Sequence, residues 1–246
     1  MRLDGKTAVV TGAASGIGAA TAEAMAEAGG DIVLADLSAE KGEQHAAALR
    51  ERGLKANFLP IDVASDKSIA EFCKAVLARG PVHVLVNAAG FGRAQPFVEN
   101  DEEFWRRVVD VNLLGPVKLT RALLDPMIER GSGKIVNVAS DAGRVGSSGE
   151  TVYSGAKGGL ISFSKGLARE MARYSINVNC VCPGPTETPM LMALPEKHLE
   201  AFKRAIPMRR FGQPQDVANA ILFFASDLSD YVTGQTLSVS GGLTMA

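Results

Sequence analysis

Short β-branched and aliphatic runs alternate along the whole chain with longer stretches whose apolar positions recur every three to four residues. The short runs, at 7–10, 31–35, 56–61, 82–86, 134–139, 177–181 and 236–239, have the length and composition of strands. The longer stretches, at 16–28, 39–52, 65–78, 102–129, 153–174 and 214–225, predict helices. Strict alternation implies βαβ crossovers, hence an α/β fold with a parallel sheet covered by helices on both faces. Gly29-Gly30 closes the first helix and Arg52-Gly53 the second, as left-handed caps do. No linker, repeat or low-complexity stretch interrupts the pattern, so one domain spanning 1–246 is expected. Residues 183–214 depart from it, carrying Met190, Leu191, Met192 and Leu194 beside a basic cluster of Lys203, Arg204, Arg209 and Arg210. An insertion of that length after a strand is usually functional, and a lid at about 186–213 over the strand ends is the expectation. The plainer alternative is a helical hairpin packed on the core.

Charge removes several classes of partner. With 26 basic against 27 acidic residues the formal net charge is −1, which gives no electrostatic case for nucleic acid or an anionic membrane. Cys73, Cys180 and Cys182 are odd in number, and His45, His83 and His198 are scattered, so neither a disulfide framework nor a metal site is expected. M-R-L-D-G-K at the start has no signal-peptide core, and no apolar run is long enough for a bilayer. A soluble, cytoplasmic protein is the expectation.

The first strand runs into T-G-A-A-S-G-I-G (11–18) and then a helix. Gly12, Gly16 and Gly18 allow backbone to approach a pyrophosphate, whose charge the helix N-terminus favours. The spacing matches the common G-x-G-x-x-G only loosely, and a bare tight turn is the alternative. Asp36, at the tip of the next strand, strengthens the dinucleotide reading. A carboxylate there accepts from adenosine ribose hydroxyls and repels a 2′-phosphate, which favours NAD over NADP. Asp62-Val63 and Asn87-Ala88-Ala89-Gly90 end further strands on the same ligand-binding edge.

Tyr153 and Lys157, in T-V-Y-S-G-A-K, stand one helical turn apart on one face. A phenol titrates near ~10, but an ammonium about 4 Å away is worth ~4 kcal/mol at an effective dielectric near 20. Such a pair lowers the phenol by up to about three units, to ~7, where it exchanges protons with an alcohol. Y-x-x-x-K alone is equally a solvated helix face.

Taken in register, T-G-A-A-S-G-I-G, Asp62-Val63, N-A-A-G (87–90), Asn112, Ser140, Tyr153 with Lys157, P-G-P-T-E-T (183–188) and the closing S-G-G (240–242) resemble the classical short-chain dehydrogenase/reductase family over essentially the whole length. N-A-A-G stands for the commoner N-N-A-G, and Ser240 replaces a frequent aspartate. The resemblance implies a Rossmann doubly wound, seven-stranded parallel sheet of order 3-2-1-4-5-6-7. It implies Tyr153 as base in oxidation and acid in reduction, with Lys157 lowering its pKa and holding the nicotinamide ribose. Ser140 is implied to hydrogen-bond the substrate oxygen, and Asn112 to hold a water in a proton relay. The cofactor set it implies is Gly12, Ser15, Gly16, Ile17, Gly18, Asp36, Asp62, Val63, Asn87, Ala88, Gly90, Pro183, Gly184, Thr186 and Thr188, besides Tyr153 and Lys157. A homotetramer joined through the long helices and the last strand is also implied.

Within the family, S-D-A-G-R-V-G-S-S-G-E (140–150), V-C-P-G-P-T-E-T (181–188) and G-Q-T-L-S-V-S-G-G-L-T-M (234–245) resemble 2-hydroxycyclohexanecarboxyl-CoA dehydrogenase-like β-hydroxyacyl-CoA dehydrogenases. This implies NAD-dependent oxidation of a β-hydroxyl on a cyclic or aryl-substituted acyl-CoA ester. Ala142, Arg144, Val145 and Met190 are the candidate substrate contacts, with Phe91, Leu191 and Met192 as further apolar wall. Arg144, Lys203, Arg209 and Arg210 are candidates for the coenzyme A phosphates. The alternatives are a 3-oxoacyl-carrier-protein reductase, another secondary-alcohol, sugar or steroid dehydrogenase, and a non-catalytic nucleotide-binding subunit.

Overall fold

Buried on both faces, the aliphatic runs join into one seven-stranded sheet in a computed structural model that describes residues 1–192 and 196–245. The strands are β1 (Thr7–Thr11), β2 (Asp31–Asp36), β3 (Ala56–Pro60), β4 (Val84–Asn87), β5 (Gly133–Val138), β6 (Ile176–Pro183) and β7 (Thr236–Val239). Their order is β3-β2-β1-β4-β5-β6-β7, and every pairing is parallel. Parallel neighbours need crossovers, and helices supply them on both faces. On one face α1 (Gly16–Glu27), α2 (Ala39–Glu51) and α10 (Pro214–Ala225) bury Met25, Leu49 and Ile221. On the other, α3 (Asp66–Leu77), α5 (Gly115–Arg130) and α7 (Thr151–Met171) bury Phe72, Leu123 and Met171. Each such side chain contributes roughly 1.5–3 kcal/mol by leaving water. Gly29 and Gly53 take φ of +94° and +78°, the left-handed closures expected of them.

The apolar pattern over 102–129 is not one helix. It is α4 (Glu102–Val109), a π turn (Asp110–Leu114) and α5. Two residues force the interruption. Pro116 has no N–H, so the Asn112 carbonyl loses its α-helical donor. Gly115 presses on the neighbouring loop, and a Cβ there would lie 2.6 Å from the Val63 carbonyl oxygen.

All strand C-termini reach one edge, and β1 sits where the order reverses, flanked by β2 and β4. That is the edge where open α/β sheets take ligands. Residues 139–150 there include α6 (Ala142–Val145). Beyond β6, Thr186 bridges Gly212, so the 186–213 segment leaves and returns side by side. It contains α8 (Pro189–Met192) and α9 (Glu196–Ala205), and no residue of α9 is buried. A helical hairpin packed into the core would bury one face; α9 does not. Leu194 lies outside the described residues. Among the described residues no helix is long and apolar enough to cross a membrane, and no cluster of His, Cys, Asp and Glu is placed to hold a metal.

Candidate active site

The site starts from the turn after β1. Gly12 takes φ +69°, and a Cβ on it would meet the Ala89 backbone at 2.9 Å. Gly18 is tighter still, with a Cβ position only 2.1 Å from the Gly12 carbonyl oxygen. Thr11 ties this turn to the end of β4, its hydroxyl accepting from the N–H groups of Ala88 and Ala89 at 3.0 and 3.1 Å. Ser15 caps α1 in extended backbone with its hydroxyl uncommitted to the cap, and Ile17 packs back on the core. The turn is a cradle of bare backbone at a helix N-terminus, and it fits a dinucleotide pyrophosphate.

Asp36 is tied into the glycine turn. Its carboxylate accepts from Ala14 N (3.0 Å) and Ser38 N (2.9 Å), bracing the glycine turn from the next strand. A carboxylate has about four acceptor sites, so two remain for hydroxyls. Asp62 holds its own turn, accepting from Ala64 N at 2.9 Å, with Arg107 at 3.7 Å. Val63 is 8% exposed and belongs to the core, so only its backbone reaches the edge.

Asn87 corrects an expectation. Its side chain is buried and donates to Asn137 Oδ1 (2.8 Å) and Thr120 Oγ1 (3.3 Å), within a network that Asn137 extends to Ser164 at 2.7 Å. It stitches β4 to β5 and offers the cleft no side chain. Ala88 and Gly90 follow at the rim. A Cβ on Gly90 would lie 3.3 Å from Asn112 Oδ1 and 3.9 Å from Lys157 Nζ, so these three converge.

Asn112 is fully buried on the π turn, and its amide is also already engaged. Nδ2 donates to Phe91 O (2.6 Å) and Val108 O (2.9 Å), while Oδ1 accepts from Phe91 N (3.3 Å). The side chain clamps the loop after β4 and has no donor left for a water. The main-chain carbonyl, deprived of its α-helical donor by Pro116, is the better acceptor.

Tyr153 and Lys157 share a face of α7, but the simple picture of their coupling fails. Lys157 Nζ is buried, donates to Val138 O at 2.8 Å, and lies 5.7 Å from the Tyr153 ring centroid. Burial drives this ammonium down to about 8. Tyr153 as a residue is only half-buried, yet its hydroxyl end is enclosed. That enclosure, helped by the Glu150 carboxylate and opposed by a hydrogen bond with Ser140, pushes the phenol up to about 12. The expected fall towards neutrality came from treating the pair as partly solvated. Desolvation outweighs attraction here, and the amine points at a carbonyl. Ser140 Oγ accepts from Ala142 N at 3.1 Å, which leaves its proton to point outward.

Four further residues come from the 183–188 segment. Gly184 N donates to Val239 O (3.0 Å), and the buried Thr186 donates to Gly184 O (3.0 Å). Pro183 ends β6, and its carbonyl accepts from Asp141 N at 3.1 Å. Thr188 caps the approach to α8, its methyl 3.2 Å from the Cβ position of Gly16. The two halves of the chain therefore meet at the glycine turn.

The substrate candidates fare unevenly. Ala142 and Val145 lie in α6 beside Ser140, Val145 being 62% exposed. Arg144 is half-buried and donates to Ser238 Oγ on β7 at 2.6 Å, so it is not a free phosphate contact. Arg210 pairs with Asp216 (2.6 Å), and Arg209 bonds the Arg204 carbonyl. Met190 is in α8, but its side chain lies outside the described residues. Periodicity gave no hint of Arg93. Its guanidinium lies 4.7 Å over the Phe104 ring, with Nε on Gln95 Oε1 at 2.8 Å. Gln95 N reaches Gly149 O (2.8 Å), and a Cβ on Gly92 would touch the Tyr153 ring at 3.1 Å, so this loop walls the phenol. A cavity of about 850 Å³ opens elsewhere, at the amino edge between Lys6, Lys134 and Tyr231; its Lys134 is paired with Asp230 at 2.6 Å.

A family model described as enoyl-(acyl carrier protein) reductase matches residues 12–244. The chain is 41% identical, over the full length of both, to the 3-oxoacyl-[acyl-carrier-protein] reductase FabG of Thermotoga maritima. The chain belongs to the short-chain dehydrogenase/reductase family. This member of the family superposes on an actinorhodin polyketide ketoreductase solved with NADPH, with TM-score 0.92, 36% identity and 97% of each chain covered. A structure assigned as a gluconate dehydrogenase of Agrobacterium tumefaciens gives TM-score 0.95 at 34% identity, covering 100% of this chain and 98% of that one. The enzyme is an oxidoreductase acting on a CH–OH group. FabG is a carrier-protein reductase, not a CoA-ester dehydrogenase, which favours the alternative raised from the sequence over its first reading.

Proposed function

We propose that this enzyme reduces a 3-oxoacyl thioester to the β-hydroxyacyl form, with the acyl group carried on a phosphopantetheine arm. The reading is carried by 41% identity over the full length to a 3-oxoacyl-[acyl-carrier-protein] reductase, and it is supported by Tyr153, whose enclosed phenol is protonated at neutral pH. A protonated phenol is the right group to give a proton to a ketone oxygen as hydride arrives at carbon. Ser140 aims its hydroxyl proton at the same oxygen and offsets the charge that develops there. Lys157 and the Asn112 carbonyl hold the ribose and a water that returns a proton to Tyr153. The nicotinamide, when bound, supplies the hydride.

Gly12, Ser15, Gly16, Ile17 and Gly18 hold the pyrophosphate, and Asp36 holds the adenosine ribose. The backbone of Asp62, Val63, Ala88 and Gly90 lines the adenine side, and Pro183, Gly184, Thr186 and Thr188 line the nicotinamide. Asp36 supports NADH over NADPH, since no cation follows it in Leu37-Ser38-Ala39. The same carboxylate supports a second reading, NAD-linked oxidation of a β-hydroxyacyl-CoA. Segment 186–213 serves as the lid, in keeping with the unburied α9. The three buried free thiols fit a reducing cytoplasm. Homotetramer assembly is supported by the apolar side chains left exposed on the π turn and β7, Leu114 and Leu237.

The test is a panel of 3-oxoacyl thioesters on carrier protein, on CoA and on N-acetylcysteamine, each with NADH and NADPH. Reduction of all three, best with NADH, is expected. No turnover of any thioester refutes the proposal, and faster turnover with NADPH refutes the cofactor reading.

A further inference from the structure

Next to Ser140 sits a charged chain for which the reaction has no direct use. Asp141 is 5% exposed, and its Oδ1 accepts from the Ser238 hydroxyl on β7. Its other oxygen, Oδ2, is buried without a protein partner. Ser238 Oγ in turn accepts from Arg144 Nη1 at 2.6 Å. The polarity of this chain is fixed, because a guanidinium only donates and an ionised carboxylate only accepts. Ser238 must therefore take a proton from Arg144 and give its own to Asp141. A buried carboxylate with one bare oxygen costs stability, and such cases call for an explanation.

The backbone supplies one. Asp141 N is tied to Pro183 O at 3.1 Å, Ala142 N to Ser140 Oγ at 3.1 Å, Gly143 N to Ser140 O at 3.0 Å and Arg144 N to Asp141 O at 2.9 Å. Residues 140–144 form one tight turn, and Asp141 and Arg144 both tie it to β7 through Ser238. The Ala142 N–H bonded to one lone pair of Ser140 Oγ fixes the orientation of that hydroxyl, and the bond lasts only while the turn keeps its shape.

We propose that Asp141, Ser238 and Arg144 are positioning residues that lock the 140–144 turn to β7 and so aim the Ser140 hydroxyl at the reacting oxygen. This rests on the reading of Ser140 given above. Ser238→Ala removes the middle of the chain while leaving both ends. Asp141→Ala cuts the same link from its other side.

The experiment uses the full chain with the N-acetylcysteamine thioester of 3-oxobutyrate and the preferred nicotinamide cofactor. A misplacement of the order of 1 Å costs up to about 100-fold in rate, so Ser238→Ala should lower kcat by roughly 10- to 100-fold. KM and the cofactor dissociation constant should stay within about threefold, since no contact to either is removed. Ser238→Thr, which keeps the hydroxyl, should restore kcat. The double variant Ser238→Ala/Asp141→Ala should lose no more than the worse single one, as residues in one network do. Unchanged kcat in Ser238→Ala, a proportional rise in KM, failure of the threonine rescue, or additive losses in the double variant each overturn the proposal. Ser140→Ala is the control: if it keeps full turnover, the reading of Ser140 falls, whatever Ser238 does. Should Ser238→Ala not fold, Asp141→Ala paired with Asp141→Glu carries the same kcat-against-KM comparison.

Discussion

Ionising Tyr153 should be hard in the protein by itself. Its phenol is pushed up to about 12, five units above neutral pH, and at ~1.36 kcal/mol per unit this amounts to about 7 kcal/mol. Only three tyrosines are present, Tyr153, Tyr174 and Tyr231, so phenolate absorbance can be followed residue by residue. Subtracting the titration of Tyr153→Phe from that of the native protein isolates the phenol of interest. Without cofactor the difference curve should stay flat through pH 10 and rise only beyond it. Saturating oxidised cofactor, which brings a positive charge, should move the curve down; reduced cofactor should not. The same physics splits the two directions of turnover. Ketone reduction should be level across neutral pH, and alcohol oxidation should gain about tenfold per pH unit until the phenolate dominates. Because the fold favours the neutral phenol, its stabilising contribution holds below the unfolded value near ~10 and is lost as pH climbs towards 12. A Tyr153 phenolate already present near pH 7 in the protein alone would refute this reasoning and reinstate direct control by Lys157.

Lys157→Met should abolish turnover yet raise the thermal midpoint at pH 7. Lys157 is pushed down to about 8 from 10.5, so its buried charge costs up to about 3 kcal/mol below pH 8, and calorimetry should find the gain shrinking as pH rises towards 10.5. Asp36→Ala should weaken NADH and improve relative use of NADPH, and should also loosen the glycine turn by removing the acceptor for Ala14 N and Ser38 N; an unmoved cofactor ratio excludes the ribose role. Gly18→Ala places a methyl 2.1 Å from the Gly12 carbonyl, and overpacking of this kind costs about 1–3 kcal/mol. Denaturant melts should register that loss, and cofactor affinity should drop with it.

The parallel sheet and both helical layers were legible because apolar runs alternate with amphipathic stretches, whereas the strand order came with the family resemblance. The glycine turn was legible for a similar reason: at Gly12 and Gly18 the backbone leaves no room for a side chain. Where the sequence misled, the cause was a third dimension that spacing does not carry. The apolar periodicity over 102–129 runs straight through the π turn, although Pro116 was a visible warning. Asn87 stands at a strand end like its neighbours, and only the register of β4 on β5 turns its amide towards Asn137. Arg144 stood as a candidate for substrate and coenzyme A phosphates because Ser238, its partner, lies 94 positions later. The Tyr153–Lys157 spacing was right and its energetics wrong, since burial has no signature in a four-residue interval.

The Thr188 methyl closes over Gly16 and couples two stretches far apart in the chain. The threonine that opens the late insertion sits directly above the first loop, like a bolt across a hinge. A side chain at position 16 would strike that methyl, so the first loop and the late insertion can change only together.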